Sequence, residues 1–343
     1  MRYPSTPAMA RTLFRIMSPV VALALILAVT LAPAAPAAAA DVKPLTIISV
    51  DDHPWDAEPR FRSQTKTIFK GPNDSSLIYA RFAPRWDQTP PMDPLGPHYH
   101  TWHEWAYVLS GDFVIHEPIS EKQTAGMLSR FTQGTWLDRP AYTLHGGVWE
   151  VGGLRPQNAC ELIIFEEGDG SVVTLGENGD HFKPDFDSKP DPYLPDWRKV
   201  ERFNHPWIVH SGSDLEWETD PDMPGRLVKW LSDDKAEGFR GRLLKIPPGW
   251  TPPPGAGTKH YKNANVMRYT LYGDMKVWQF AAPGGKGKPV KVSANSFIHQ
   301  PPGALWGYGG GTVTDSGAIW LEVTYAEGVA VGGGPIEAPV INN

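Results

Sequence analysis

Gly96-Pro97-His98-Tyr99-His100-Thr101-Trp102-His103-Glu104 is followed six residues later by Gly111, giving the spacing H-x-H-x3-E-x6-G. Residues two apart on an extended strand share a face, so His98 and His100 project together into one interior. A tight turn then brings Glu104 in from the adjoining strand. Further on, Gly134, five residues, Pro140 and then His145 form G-x5-P-x4-H, in which the proline sets a bend before His145 enters from a third strand. Three neutral imidazoles and one carboxylate suit a divalent first-row ion and leave about two positions of an octahedral ion open. Open positions distinguish a catalytic ion from a structural one.

The surrounding chain reads as many short strands. It carries 34 Gly and 35 Pro in 343 residues, with β-branched and aromatic runs between them and no long helical period. Candidate strands are Leu77 to Phe82, Trp105 to Leu109, Phe113 to His116, Glu161 to Phe165, Arg242 to Ile246, Met267 to Leu271, Met275 to Phe280 and Ile319 to Tyr325. Short strands without intervening helices imply an all-β barrel or sandwich. Laid on itself at an offset of about 162 residues, the chain repeats weakly. His98-Tyr99 falls on His260-Tyr261, Tyr107 on Tyr269, Leu109 on Leu271 and Gly111-Asp112 on Gly273-Asp274. Two copies of one barrel account for this. The expected division is a leader over 1–40, a first domain over 41–190 and a second over 191–343, with the acidic, Pro-rich stretch from Asp180 to Trp197 as the crossing.

The two spaced motifs resemble the paired signatures of the cupin superfamily, in its two-domain form. The resemblance implies two tandem jelly-roll β-barrels. Where the second signature usually has a small residue and an asparagine, Tyr142 and Trp149 stand here, which alters the pocket but not the ligand set. At the matching positions of the second copy are His260, Lys262, Val266 and Trp306, a set that cannot hold a divalent ion. The second barrel is therefore expected to be a scaffold that closes the pocket or forms a homo-oligomer interface, with a metal-free binding site as the alternative.

His103 is out of phase with the ligands and reads as a residue supporting them or as a proton shuttle. Glu104, His103 and Tyr107 are the candidate catalytic groups, with Tyr99 as a further possible base. Trp102, Trp105, Tyr107, Trp136, Tyr142 and Trp149 cluster around the ligands, and aromatic walls favour flat or apolar substrates. Trp102, Tyr142, Trp149 and Arg139 are the candidate substrate contacts, and Arg81 or Arg85 could also grip a carboxylate.

The resemblance implies iron(II) dioxygenase chemistry on a small enolisable or aromatic substrate beside O2. Manganese, zinc, nickel, cobalt and copper remain open for the same ligands. Two other functions also remain open: a lyase, decarboxylase or isomerase using the ion as a Lewis acid, and a non-catalytic metal- or ligand-binding protein. Arg2, Arg11 and Arg15 precede the apolar run Val20 to Ala32, and Ala38 and Ala40 give a small-x-small cleavage pattern. The expectation is an exported periplasmic or secreted protein with no membrane segment once the leader is removed. Loss of that leader moves the formal charge from −6 to −9, because it carries three arginines and no acid. Nucleic acid is an unfavourable partner for such a chain. Cys160 is the only cysteine, so no intramolecular disulfide can form.

Overall fold

The computed structural model describes residues 42–342, apart from 59–62, 72–73, 85–97, 118–126, 147–154, 157, 169–171, 175–198, 201–202, 257, 284 and 327–334. The leader, Arg85, Trp149 and the 180–197 crossing lie outside the described residues. Those described form strands and short 3-10 turns, with no α-helix among them. No helix among them is long and apolar enough to cross a membrane.

Two large antiparallel sheets dominate. In spatial order the first runs Trp207–His210, Thr135–Arg139, Glu104–Ser110, Cys160–Glu166, Ser76–Phe82, Ser63–Lys70, Asp56–Glu58. The second runs Thr46–Ser49, Ser296–Gln300, Ala264–Gln279, Ala318–Ala326, Phe239–Ile246, Leu227–Asp234, Glu218–Thr219, with Lys288–Ser293 also paired to Ala264–Gln279. The sheets exchange strands. Thr46–Ser49, early in the chain, pairs with Ser296–Gln300, and Trp207–His210, beyond residue 190, pairs with Thr135–Arg139.

The sequence repeat is visible at the turns. Gly111 and Gly273 have φ of +75° and +78°. A Cβ on Gly111 would lie 1.8 Å from the carbonyl oxygen of Ala159, and one on Gly273 would lie 1.9 Å from that of Gly317. Only glycine fits either place. The consequences differ between copies. Gly111 separates Glu104–Ser110 from Asp112–Glu117, whereas the two strands expected over Met267 to Leu271 and Met275 to Phe280 form one, Ala264–Gln279, with a register shift between Thr270 and Tyr272.

The period of two divides the side chains of Glu104–Ser110 between two environments. Ala106 and Val108 pack with Ala80, Phe82, Phe131, Leu137, Cys160 and Leu162 inside the first barrel. Trp105 and Tyr107 face the other way, into a core built from both sheets that includes Trp136, Phe165, Phe239, Met267, Tyr269 and Phe297. Cys160 is fully buried, and burial pushes its thiol up to about 12, so it is an inert packing residue.

Candidate metal centre

His98 and His100 come from the start of the first barrel's wall, and His145 from the loop after Pro140. Their backbones are tied together. His98 N–H donates to the His145 carbonyl and His145 N–H to the His98 carbonyl, both at 2.9 Å, and Tyr142 N–H donates to the His100 carbonyl at 2.7 Å. The rings converge accordingly, with centroids 4.4 Å apart for His98 and His145, 5.0 Å for His100 and His145, and 5.4 Å for His98 and His100. One nitrogen from each lies within 4.8 Å of the others, and all three residues are buried. His145 Nδ1 lies 2.8 Å from the Thr143 carbonyl oxygen. A carbonyl can only accept, so Nδ1 carries the proton and Nε2 keeps its lone pair for a ligand. Burial, with Arg139 and His98 nearby, holds the His145 imidazole well below its usual range, so it is neutral at pH 7. Three buried, converging imidazoles, of which His145 is held neutral and oriented, fit a divalent first-row ion.

Glu104 adjoins this cluster, with Oε2 3.4 Å from His100 Nε2. Its other oxygen accepts from Arg139 Nη1 at 2.7 Å. Burial alone would raise the Glu104 carboxyl, but Arg139, His100 and His145 outweigh it and hold the group well below the usual carboxylate range. The register explains the meeting. Glu104 lies directly opposite Arg139 on one side and Glu166 on the other, and Glu166 opposite Ser76, so four strands contribute one row to the interior. Ser76 Oγ donates to Glu166 Oε2 at 3.2 Å. Glu166 and Ser76 are absent from the sequence-based site. The signal for Glu166 was its phase: Leu162 packs inside the first barrel, and Ile164 and Glu166 follow it at intervals of two.

The remaining candidates separate by face. Trp102 stacks on His100, with centroids 4.1 Å apart and planes 20° from parallel, and Gly168 backs its indole so closely that a Cβ would lie 2.3 Å from the ring. Tyr142 is half-buried with φ of +63°, and its ring lies 6.1 Å from that of Tyr99. His103 points away from the histidine cluster. Its Nε2 is 2.5 Å from Asp138 Oδ1, and its ring stacks on Trp105 and meets the edge of Phe239. Tyr107 is on the opposite face of its strand from Glu104, in the shared core, with its hydroxyl 3.2 Å from Ser211 Oγ. Strand alternation thus sets Tyr107 on the face opposite Glu104, and His103, expected to support the ligands or to shuttle a proton, is partnered with Asp138. Trp105 and Trp136 are likewise core residues. Arg81 bonds Gln64 and lies over Trp55, outside the site.

In the second barrel, Val266 pairs with Gln300 and Thr324, as Glu104 pairs with Arg139 and Glu166. Trp306 pairs with Lys259, as His145 pairs with His98. The inward residue opposite Trp306 is thus Lys259, one position before the His260 matched by sequence. Among the described residues, His98, His100 and His145 form the one group of three or more such side chains placed to hold an ion.

No protein-family model matches the chain, and no curated protein is similar to it in sequence. Solved structures are similar in fold. A candidate dioxygenase from Nostoc punctiforme matches with a TM-score of 0.55 and 13% identity, over 86% of this chain and 87% of that one. Oxalate decarboxylase from Bacillus subtilis, in a structure concerned with its Mn(II) centres, matches at 0.53 and 15%, over 88% and 79%. Oxalate decarboxylase from Lactobacillus farciminis, in complex with formate, matches at 0.52 and 16%, over 86% and 88%. The chain is an all-β protein with the fold of a two-barrel cupin, and its first barrel presents a histidine triad able to bind a metal.

Proposed function

We propose that this chain is a metal-dependent cupin enzyme, a dioxygenase of a small enolisable or aromatic substrate, with one ion per chain held by His98, His100, Glu104 and His145. The observation that carries the reading is the convergence of three buried imidazoles beside the planar face of Trp102. A bound divalent ion, iron(II) first among the candidates, would supply open coordination positions and Lewis acidity for substrate and O2. Trp102 offers an aromatic surface to a flat substrate. Arg139 keeps Glu104 ionised, which suits a ligand rather than a proton acceptor, since a strongly acidic carboxyl is a weak base. Glu166, next to Glu104 in the same row, is the better-placed carboxylate to take a proton. The leader supports export to the periplasm or medium, where the ion would be acquired.

A second reading, decarboxylation, is favoured by Arg139. Its guanidinium borders the histidine cluster and matches a substrate carboxylate. Protein purified without oxygen, assayed for metal and then supplied with diketones, hydroxyacetophenones, flavonols or small dicarboxylates separates the two. Stoichiometric O2 uptake is expected. Turnover with CO2 release and no O2 uptake would transfer the assignment to the decarboxylase reading.

A further inference from the structure

The two barrels carry their interior charge at different depths. In the first, the row Ser76, Glu166, Glu104 and Arg139 is polar, and the next row inward, Ile78, Ile164, Ala106 and Leu137, is apolar. The same two rows of the second barrel are Arg240, Thr324, Val266 and Gln300, then Arg242, Glu322, Arg268 and Ile298. An apolar floor has become a charged one.

Its pairings are short. Arg242 Nη2 lies 2.6 Å from Glu322 Oε1 and its Nη1 2.8 Å from Asp222 Oδ2, while Arg268 Nε lies 2.6 Å from Glu322 Oε2. Arg268 Nη1 donates to Gln300 Oε1 at 3.0 Å, and its guanidinium rests 3.8 Å over the Trp306 ring. Arg226 is held by Asp220 and Tyr308. Lys259 joins from the barrel wall. Directly opposed residues of an antiparallel pair share a face, so Lys259 lies on the same side as Trp306 and hence as Arg268.

Among the described residues the cluster is short of negative charge. Arg226, Arg242, Arg268 and Lys259 face Asp220, Asp222 and Glu322, and among the described residues the Lys259 ammonium makes no hydrogen bond or ion pair. Arg268 Nη2 also lacks a bond there. Lys259 is half-buried, and withdrawing an ammonium even partly from water without a counterion carries a cost that proteins normally offset by pairing it. Burial pushes both Lys259 and Arg268 below their ordinary values despite Glu322, which is the response expected where negative charge is missing.

We propose that the second barrel is a metal-independent binding site for a small carboxylate anion, received on Lys259 beside Arg268 and Trp306. One monoanion would balance the surplus cation. The position matches that of the histidine cluster in the first barrel, so the fold would present two sites of different chemistry, one a metal centre and the other an anion trap. The inference does not depend on the first barrel's ion.

The full chain is titrated calorimetrically with sodium formate, acetate and propionate at constant ionic strength, with chloride as the control, while tryptophan fluorescence is followed for Trp306. Saturable binding of one carboxylate per chain is expected, weakened at least about ten-fold in Lys259→Met and unchanged in His100→Ala. Lys259→Gln replaces the methionine variant should that fail to fold. Binding that survives loss of the Lys259 charge overturns the proposal, and so does binding abolished by His100→Ala, which would place the anion at the first barrel. A response equalled by chloride, or none to any carboxylate, also overturns it.

Discussion

At the scale of single residues, the contrast lies between the three converging histidines and His103. His98, His100 and His145 converge because their backbones are mutually hydrogen-bonded, and Thr143 fixes the tautomer of His145. His103 is adjacent in sequence to Glu104 yet belongs to a buried pair with Asp138. His145→Ala should therefore abolish stoichiometric metal by elemental analysis. Asp138→Asn should keep the metal and lower unfolding stability by about 1–3 kcal/mol in urea, the cost of impairing a buried polar pair. His299 supplies a pH test away from the site. It is buried against Asn265 and Phe69, and desolvation lowers its value to about 4. The unfolded chain then binds this proton more readily than the folded one, so stability is retained above the unfolded value of about 6.5 and declines as pH falls toward 4. The decline attributable to His299 is on the order of 3 kcal/mol. Urea titrations of the protein and of His299→Gln at pH 7 and 4.5 should show a shallower loss for the variant, and parallel losses would refute the assignment.

At the scale of elements, alternation along strands decides which of the aromatic residues near the histidine triad face it. Trp105 and Tyr107 are neighbours of Glu104 in sequence but face the shared core, while Trp102, in the turn before the strand, reaches His100. The repeat between the barrels was legible because the turn at Gly111 and Gly273 admits no side chain. Gly111→Ala and Gly273→Ala should each cost about 3 kcal/mol or more, combining a positive φ with a collision against backbone that cannot withdraw. Thermal unfolding measures this, and a loss below 1 kcal/mol would show that the turn relaxes. The sequence alignment of the second copy was right for Val266 and one residue out for the histidine strand. Strand Thr258–His260 is set by its partners Trp306–Gly307 and Val340–Asn342, and that pairing is not written in the local sequence.

At the scale of the whole molecule, the two barrels share one core and exchange strands, so neither sheet is complete within its own stretch of chain. Phe239 of the second sheet packs on His103 and Trp105 of the first, and Gly241 lies so close to Trp136 that a Cβ would come within 2.6 Å of its ring. Phe239→Ala should lower stability by about 3–5 kcal/mol while leaving a single unfolding transition, because the cavity opens in a core common to both sheets. Calorimetry showing two separate transitions in the unsubstituted protein would contradict this coupling.

The sequence by itself determined the all-β class, the doubled barrel and the histidine triad, because period-two alternation, glycine-only turns and the spacing of the histidines are local properties of a chain. Only the tertiary structure decided what depends on register between distant strands. It set Arg139 and Glu166 on either side of Glu104, and turned His103 and Tyr107 away from the cluster. It also carried Thr46–Ser49 and Trp207–His210 into each other's sheets, and gathered Arg242, Arg268, Glu322 and Lys259 into one interior. Cross-strand neighbours are chosen by the packing of whole faces, and no short stretch of sequence contains that choice.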